Sequence, residues 1–528
     1  MNHREEKYTR GDWLTVGLLC VIGLALRIPY RSQLPFHWDS AQFALAINQY
    51  DIRLSQPHAP GYFVYVMLGR LVNGFVGDPH ASLVWISVIF GSALPAIMYL
   101  LGTAMFGRRA GLATGFLVMT SPLVWFHSCV ALTYVVDACL VATLVLLCWQ
   151  AQRRGGCWGD AVRIGALGAL IAGMRPQTVP ALLPLVLVTF WKFRAKRLPK
   201  FLAASLLASL LVAAWVIPML QLSGGLDVYR QIVRLHAQAH AGETVLGGGG
   251  WWAFLGNIIN ATAFCWSGLL LCLLVFVVAL CYRVVKMDGA QRHRWNHEHA
   301  AALGVWALWV GPLMIFGTVV ALTRQPGYVL NYATGLILLA GLALAQIRRR
   351  WGFVCATAVV CAFNAWVFVA WPPAWDALLR GVWHSGGEIR EHDHQLSSMI
   401  RVIRSHYRPQ ETVLFHSEEY LLFGLRHFQY ALPEFDEYQM APDGTVILPP
   451  GQEMWSVQAG RLEFVNRRHV NLTGKHTLLL VVPPGESIEI FAPYLSVAYA
   501  RAVAGSGGTL FEYDAERTRA RDPGPPHG

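Results

Sequence analysis

The stretch Leu34–Tyr65, LPFHWDSAQFALAINQYDIRLSQPHAPGYFVY, directly follows the first apolar run and is unusually polar for the edge of a bilayer. It sets one carboxylate, Asp39, beside His37 and Trp38, runs through an amphipathic segment, and closes in a Pro-His-Ala-Pro-Gly turn at Pro57 to Gly61. Two readings compete. In one, the stretch is a connecting loop with a helix lying on the membrane surface, Phe43, Leu45 and Ile47 wetting lipid and Asp39 serving as an N-cap. In the other it carries chemistry, and the rest of the chain has to decide.

That rest is apolar. The 528 residues are 55% hydrophobic and 14% charged, with repeated apolar runs of about 18 or more residues, which reads as an α-helical polytopic membrane protein and excludes a soluble enzyme. The first run begins near Trp13 behind MNHREEKYTR with no obvious small-residue cleavage site after it, the pattern of an uncleaved signal anchor. About eleven spans follow from run length: 12–29, 81–106, 110–126, 132–150, 161–174, 177–193, 200–221, 254–283, 300–321, 328–347 and 352–371.

Charge orients them. Arg108-Arg109, Arg153-Arg154, Lys192 to Lys200, Arg283 to Arg294 and Arg348 to Arg350 fall on alternate connections, which the positive-inside rule makes cytoplasmic together with the N-terminus. The opposite set then faces outward: the 30–80 loop, tight turns near Ser128, Arg175 and Gln325, the 222–250 loop, and everything from Pro372. Residues 1–371 hold 28 Lys and Arg against 12 Asp and Glu, whereas residues 372–528 hold 14 against 19. The basic surplus is therefore a topology signal, and no nucleic-acid partner is expected. All ten cysteines lie between Cys20 and Cys361, mostly inside apolar runs, so neither a disulfide framework nor a CxxC metal site is supported.

The 372–515 segment reads as a soluble α/β domain on the outer face, with a helix at Gln395 to His406 and strands at Thr412 to Ser417 and from Thr477. Alternation in RHFQYALPEF suggests further strands, and 516–528 reads as a disordered tail. In the 222–250 loop, LDVYRQIVRLHAQAHAG looks helical, Gly247 to Gly250 look like a hinge, and Trp251-Trp252 look like interfacial anchors.

Chemistry at an outer face needs a base or a metal ligand, and only twelve acids in residues 1–371 can supply one. Six of these are cytoplasmic in this topology, leaving Asp39, Asp51, Asp78, Asp137, Asp227 and Glu243. Asp78 looks like a cap before the second span, and Asp227 and Glu243 lie in a loop that looks mobile. Asp137 opens or lies inside ALTYVVDACLVATLVLL, where an isolated carboxylate costs about 2.5 to 3.5 kcal/mol on insertion scales and should face a polar cavity or a cation. Arg175, in MRPQTVP, is the natural counterpart, with Arg27 as another; a guanidinium there either snorkels or grips a lipid phosphate through paired hydrogen bonds. His37 and His58 read either as hydrogen-bonding loop histidines or as substrate contacts.

In order along the chain, WDSAQFALA, HAPGY, TYVVDACL, GMRPQ and QPGYVLNYATGLILLAG resemble the membrane-embedded type-C glycosyltransferases that use lipid-phosphate sugars, among them protein O-mannosyltransferases and the bacterial aminoarabinose transferase. The resemblance covers about the first 350 residues. It implies a transmembrane glycosyltransferase domain over 1–371, a polyprenyl-phosphate sugar as donor, and a glycan, lipid or protein acceptor at the outer face of a bacterial inner membrane. It also implies inversion with Asp39 as general base, with Arg175, Asp137, His58, Tyr328 and His37 around the donor phosphate. Asp39 is followed by Ser40 and Gln42 where many relatives carry a second acid. That counts against a metal-assisted route; the sequence makes no cofactor certain, leaves a divalent metal open and identifies no metal ligand. The rival reading is a polytopic lipid or glycan transporter with Asp39, Asp137 and Arg175 in a polar pathway. No internal symmetry of the usual transporter kind is visible.

Overall fold

The computed structural model describes residues 8–239, 241–269, 278, 289–320, 323, 325–370, 385–416, 422–440, 446–447, 455–458, 461–464, 466–467, 475–492 and 496–514. The 516–528 tail lies outside these residues.

Each of the eleven apolar runs overlaps a described helix. They are α1 (Arg10–Arg27), α4 (Pro79–Phe106), α5 (Arg108–Thr120) with α6 (Pro122–His127), α7 (Tyr134–Arg154), α8 (Trp158–Met174), α9 (Val179–Trp191), α10 (Arg197–Leu222), α12 (Gly250–Leu269), α13 (Gly289–Ile315), α14 (Leu330–Ala345) and α15 (Arg350–Ala370). Among the described residues, seven helical segments are long and apolar enough to cross a membrane. The remaining runs fall short for local reasons. Run 110–126 breaks before Pro122, whose ring cannot continue a helix, and α9 has 13 residues. The second half of run 254–283 lies outside the described residues.

Burial sorts the spans into layers. The apolar windows of α4, α7 and the Pro326–Ala345 segment are 72%, 83% and 78% buried and form the centre, whereas that of α10 is 6% buried. Leu198, Leu202, Leu206 and Leu210 accordingly form an exposed stripe at four-residue spacing, the face such a helix turns to lipid. The start of α1 is fixed by a Thr9 and Asp12 capping box, and Arg108 Nη2 closes on Asp12 Oδ2 at 2.9 Å, tying α1 to α5.

The 30–80 loop is not a surface loop. It holds α2 (Trp38–Asn48) and α3 (Phe63–Val76), the latter an apolar helix that run length did not single out. Phe43 and Ile47 are buried, so α2 packs against protein instead of wetting lipid. Between α10 and α12 lies the strongly amphipathic α11 (Leu226–Ala239), so Asp227 stands on a helix and not in a loose loop. Val245–Gly249 forms one wide turn from which α12 starts at Gly250.

The C-terminal domain has α16 (Gly386–His406), begun by a Ser385 and Glu388 capping box, and α17 (Leu425–Ala431). Its strands are β1 (Thr412–His416), β2 (Asp436–Met440), β3 (Val446–Ile447), β4 (Trp455–Gln458), β5 (Arg461–Phe464), β6 (Asn466–Arg467), β7 (Thr477–Val481), β8 (Arg501–Ala502) and β9 (Leu510–Asp514). One sheet has the order β6-β3-β2-β1-β7-β9-β8, with β1 parallel to both neighbours, and β4 and β5 form a hairpin. The strands read at Thr412 and Thr477 are therefore present. RHFQYALPEF is a correction: RHFQYA is helical, because Phe428 and Leu432, four apart, pack into the cluster with Leu396 and Leu414.

Candidate active site

Asp39 stands in the first turn of α2, where the helix dipole favours a negative charge. It is not the N-cap. That position belongs to His37, whose Nδ1 accepts the Asp39 backbone N–H at 3.1 Å. Because that nitrogen is an acceptor, its 3.6 Å approach to Asp39 Oδ2 is no ion pair. The group that faces the carboxylate is His58: its Nδ1 donates to Gln42 Oε1 at 2.6 Å and lies 3.6 Å from Asp39 Oδ1.

The Pro57–Gly61 turn delivers His58. Gly61 sits at a φ of +108°, and a Cβ there would lie 2.7 Å from the Tyr50 hydroxyl, so this position requires glycine. The next residue, Tyr62, is also left-handed and starts α3, and its ring packs edge-on against Phe43 of α2 at 5.2 Å.

Burial works to raise the Asp39 carboxyl, but His58, His37, Arg175 and His236 together outweigh it and hold the group below the usual carboxylate range. Burial keeps His37 uncharged, so Arg175 is the permanent positive charge in that set. Asp39 is thus ionised at neutral pH, and its side chain stays 20% accessible.

Arg175 caps α8 and is buried, with its guanidinium 4.3 Å from the Tyr134 ring centroid and 4.9 Å from that of Tyr328. Its Nη1 donates to Thr133 Oγ1 at 3.4 Å, and it pairs with none of the described carboxylates. The Tyr134 hydroxyl donates to Gln325 Oε1 at 2.6 Å, and Gln325 in turn lies 3.0 Å from His37 Nε2, which links the arginine bed to the base of α2. The QPGY segment makes this approach feasible: a Cβ on Gly327 would collide with the Tyr134 ring.

Asp137, in the first turn of α7, is fully buried as its place in an apolar run requires. Its Oδ2 accepts from Thr178 Oγ1 at 2.7 Å and Asn331 Nδ2 at 2.6 Å, while Oδ1 has no partner. The charge that acts on it is Arg175. Arg27 donates instead to the carbonyls of Gly23 and Met119.

The six residues singled out from sequence, Asp39, His37, His58, Arg175, Asp137 and Tyr328, therefore converge. Tyr62, Tyr134, Gln325, Thr178 and His236 join them without having been singled out. Tyr134 had a legible signal, since it stands three residues before Asp137 on the same helix face; the others are brought in by distant elements. Asp51 and Asp78 have structural duties: Asp51 holds Arg53 at 2.6 Å, and Asp78 caps α4 through the Ala81 N–H.

A divalent metal does not fit these residues well. Among the described residues no group of three or more His, Cys, Asp or Glu side chains could hold an ion, and the ring nitrogens nearest Asp39 are committed to the Asp39 N–H and to Gln42.

No family model matches the sequence, and no curated protein matches it. Solved structures do. ArnT from Cupriavidus metallidurans bound to undecaprenyl phosphate superposes with a TM-score of 0.53 at 14% identity, covering 96% of this chain and 98% of that one. Its apo state superposes at 0.52, with the same identity and coverage. The apo oligosaccharyltransferase of Archaeoglobus fulgidus gives 0.42 at 13% identity, covering 84% of this chain and 65% of that one. The near end-to-end match to ArnT, at an identity that speaks for fold alone, shows that this chain has the fold of the membrane-embedded type-C glycosyltransferases.

Proposed function

We propose that the protein transfers a glycosyl group from a polyprenyl monophosphate sugar to an acceptor on the outer face of a bacterial inner membrane. One observation carries this reading: an ionised, partly accessible carboxylate lies in the field of a buried arginine that forms no ion pair with any described carboxylate. That pairing suits a reaction that takes a proton from a hydroxyl while negative charge grows on a phosphate. Undecaprenyl phosphate bound to ArnT, which shares the fold, supports a polyprenyl lipid as donor.

In this reading Asp39 accepts the proton of the acceptor hydroxyl as its oxygen attacks the anomeric carbon. The bond from that carbon to the phosphate oxygen breaks, its electron pair leaves with the lipid phosphate, and a single displacement inverts the centre. Arg175 stabilises the charge gained by the phosphate, held in position by Tyr134 and Tyr328. His58 steadies the Asp39 carboxylate, and Asp137, pinned by Thr178 and Asn331, organises the arginine side of the site.

Residues 1–371 form the transferase domain and 372–515 an outer-face domain, with the N-terminus cytoplasmic. The basic clusters at Arg108, Arg153 and Arg348 support that orientation.

The test is sugar release from a panel of radiolabelled polyprenyl-phosphate sugars by the purified protein in lipid, wild type against Asp39→Asn. Loss of turnover by about 10² to 10⁴ with donor binding retained is expected for removal of a general base. Donor lipid that binds but is never cleaved by the wild type, whatever acceptor is supplied, overturns the reading.

A further inference from the structure

The outer domain grips the segment that carries Asp39 at both ends. Just before α2, the backbone N–H groups of Gln33 and Leu34 donate to the two carboxylate oxygens of Asp393 on α16, at 2.8 and 3.0 Å. Phe36 follows, its ring centroid 4.8 Å from that of His392, also on α16. Just after α2, Arg426 on α17 donates through Nη2 to the Leu54 carbonyl at 2.8 Å, and its guanidinium carbon lies 5.9 Å from the centre of the Trp38 ring, next to Asp39. Farther on, the His80 N–H donates to the Tyr430 hydroxyl at 3.2 Å.

These contacts do more than glue two domains together. A carboxylate that takes two consecutive backbone N–H groups fixes the path of those residues, and it does so three residues ahead of the N-cap of α2. Arg426 is almost wholly buried, and its Nη2 and Nη1 donate to a carbonyl of the loop and to Gln429 Oε1, holding the far end. Packing on α3 and α4 and the Arg70 donations to the Ala46 and Ile47 carbonyls hold the body of α2, and the contacts with Asp393 and Arg426 fix the chain on either side of it, the supporting shell a base needs to keep its aim.

We infer that the outer α/β domain is a working part of the active site, with Asp393 and Arg426 as positioning residues that clamp α2 from both sides and so aim Asp39 at the acceptor. The inference rests on Asp39 being the base, but the clamp itself can be tested without activity. Asp393→Asn keeps size and one acceptor while turning an amide NH₂ toward a backbone N–H; Arg426→Gln releases the other end.

The experiment is hydrogen exchange by mass spectrometry on the full chain in lipid nanodiscs, together with steady-state kinetics where a donor is turned over. For each variant, exchange should quicken at least tenfold over residues 33–41 for Asp393→Asn and over 48–55 for Arg426→Gln, with 412–416 and 477–481 as protected as in wild type. Turnover should fall about tenfold or more with donor KM within twofold, a split that general loss of folded protein would not produce. Unchanged exchange in the loop overturns the clamp, and so does quicker loop exchange with unchanged kcat. If one variant loses protection in β1 and β7 as well, the other decides. A wild type inactive toward every donor would sink the proposed reaction, while the exchange result would still stand for or against the clamp.

Discussion

His58 Nδ1 and Asp39 Oδ1 face each other at 3.6 Å, one residue presented by the Pro57–Gly61 turn and the other by the first turn of α2. The ring N–H is donated to the Gln42 amide oxygen and the ring stands beside the carboxylate, so His58 both fixes the turn and favours the ionised form of Asp39. His58→Phe keeps the ring packing on Phe43 and Tyr62 but removes the N–H. The Asp39 carboxyl should then rise toward the ordinary range of about 4. Since a depressed carboxyl loses its ionised form only as pH falls through its own pKa, the acid limb of the pH–rate profile should move to higher pH. The rate near neutrality should fall by less than about tenfold, because the carboxylate stays charged there.

Arg175 lies over two adjacent tyrosine rings whose centroids are 5.5 Å apart, a bed that suits a planar guanidinium and not a compact ammonium. Arg175→Lys preserves the charge and loses both the stacking and the fork that could give a phosphate two parallel hydrogen bonds. We expect kcat/KM for the donor to fall about 10²-fold, the scale for removing one preorganised charge-stabilising donor. Steady-state kinetics with a fixed acceptor checks this; a change under threefold would remove Arg175 from the phosphate site.

Gly327 leaves room for the Tyr134 ring to lie over Arg175. Gly327→Ala should push that ring aside and break its bond to Gln325, raising donor KM with little effect on expression, because the backbone there is not left-handed. Titration of a fluorescent polyprenyl phosphate against both proteins would show the loss of affinity.

Asp137 is a matter of stability first. Asp137→Leu strands the Thr178 hydroxyl and the Asn331 amide, each a buried donor costing about 1 to 3 kcal/mol when unpaired. Asp137→Asn keeps one acceptor and sheds the charge. Thermal unfolding in detergent should therefore place Asp137→Leu well below wild type and Asp137→Asn between the two.

Asp393 supplies a pH dependence of its own. Burial pushes its carboxyl up to about 6 against the pull of the Gln33 and Leu34 amides. The neighbouring His392 carries no charge, since burial lowers it to about 4. With the folded value above the unfolded value of about 3.9, the contribution of this group to fold stability is complete below about 3.9 and is lost as pH rises through about 6. The clamp works in the opposite sense, since the carboxylate accepts the two N–H groups better than the acid does. The pH–rate profile should accordingly show a rise centred near 6 that disappears in Asp393→Asn. Asp39, held below the usual carboxylate range, cannot produce it.

The sequence by itself determined the membrane class, the number and order of the apolar runs, and the small set of acids from which a base could come. Those properties depend on composition and local run length, which each segment carries alone. It also marked Asp39, Asp137 and Arg175, because a charge beside or within an apolar run needs a partner wherever the chain folds. The tertiary structure decided the rest. That α2 is buried and not lipid-facing follows from its packing against α3 and α4 and beneath α17, the last nearly 400 residues away, and no periodicity in α2 could announce it. That RHFQYA is a helix depends on which side of Phe428 the C-terminal domain's core lies, since a short apolar segment satisfies either period. And the bed of Tyr134, Tyr328 and Gln325 around Arg175 joins side chains from helices far apart in sequence, so it exists only once those helices pack.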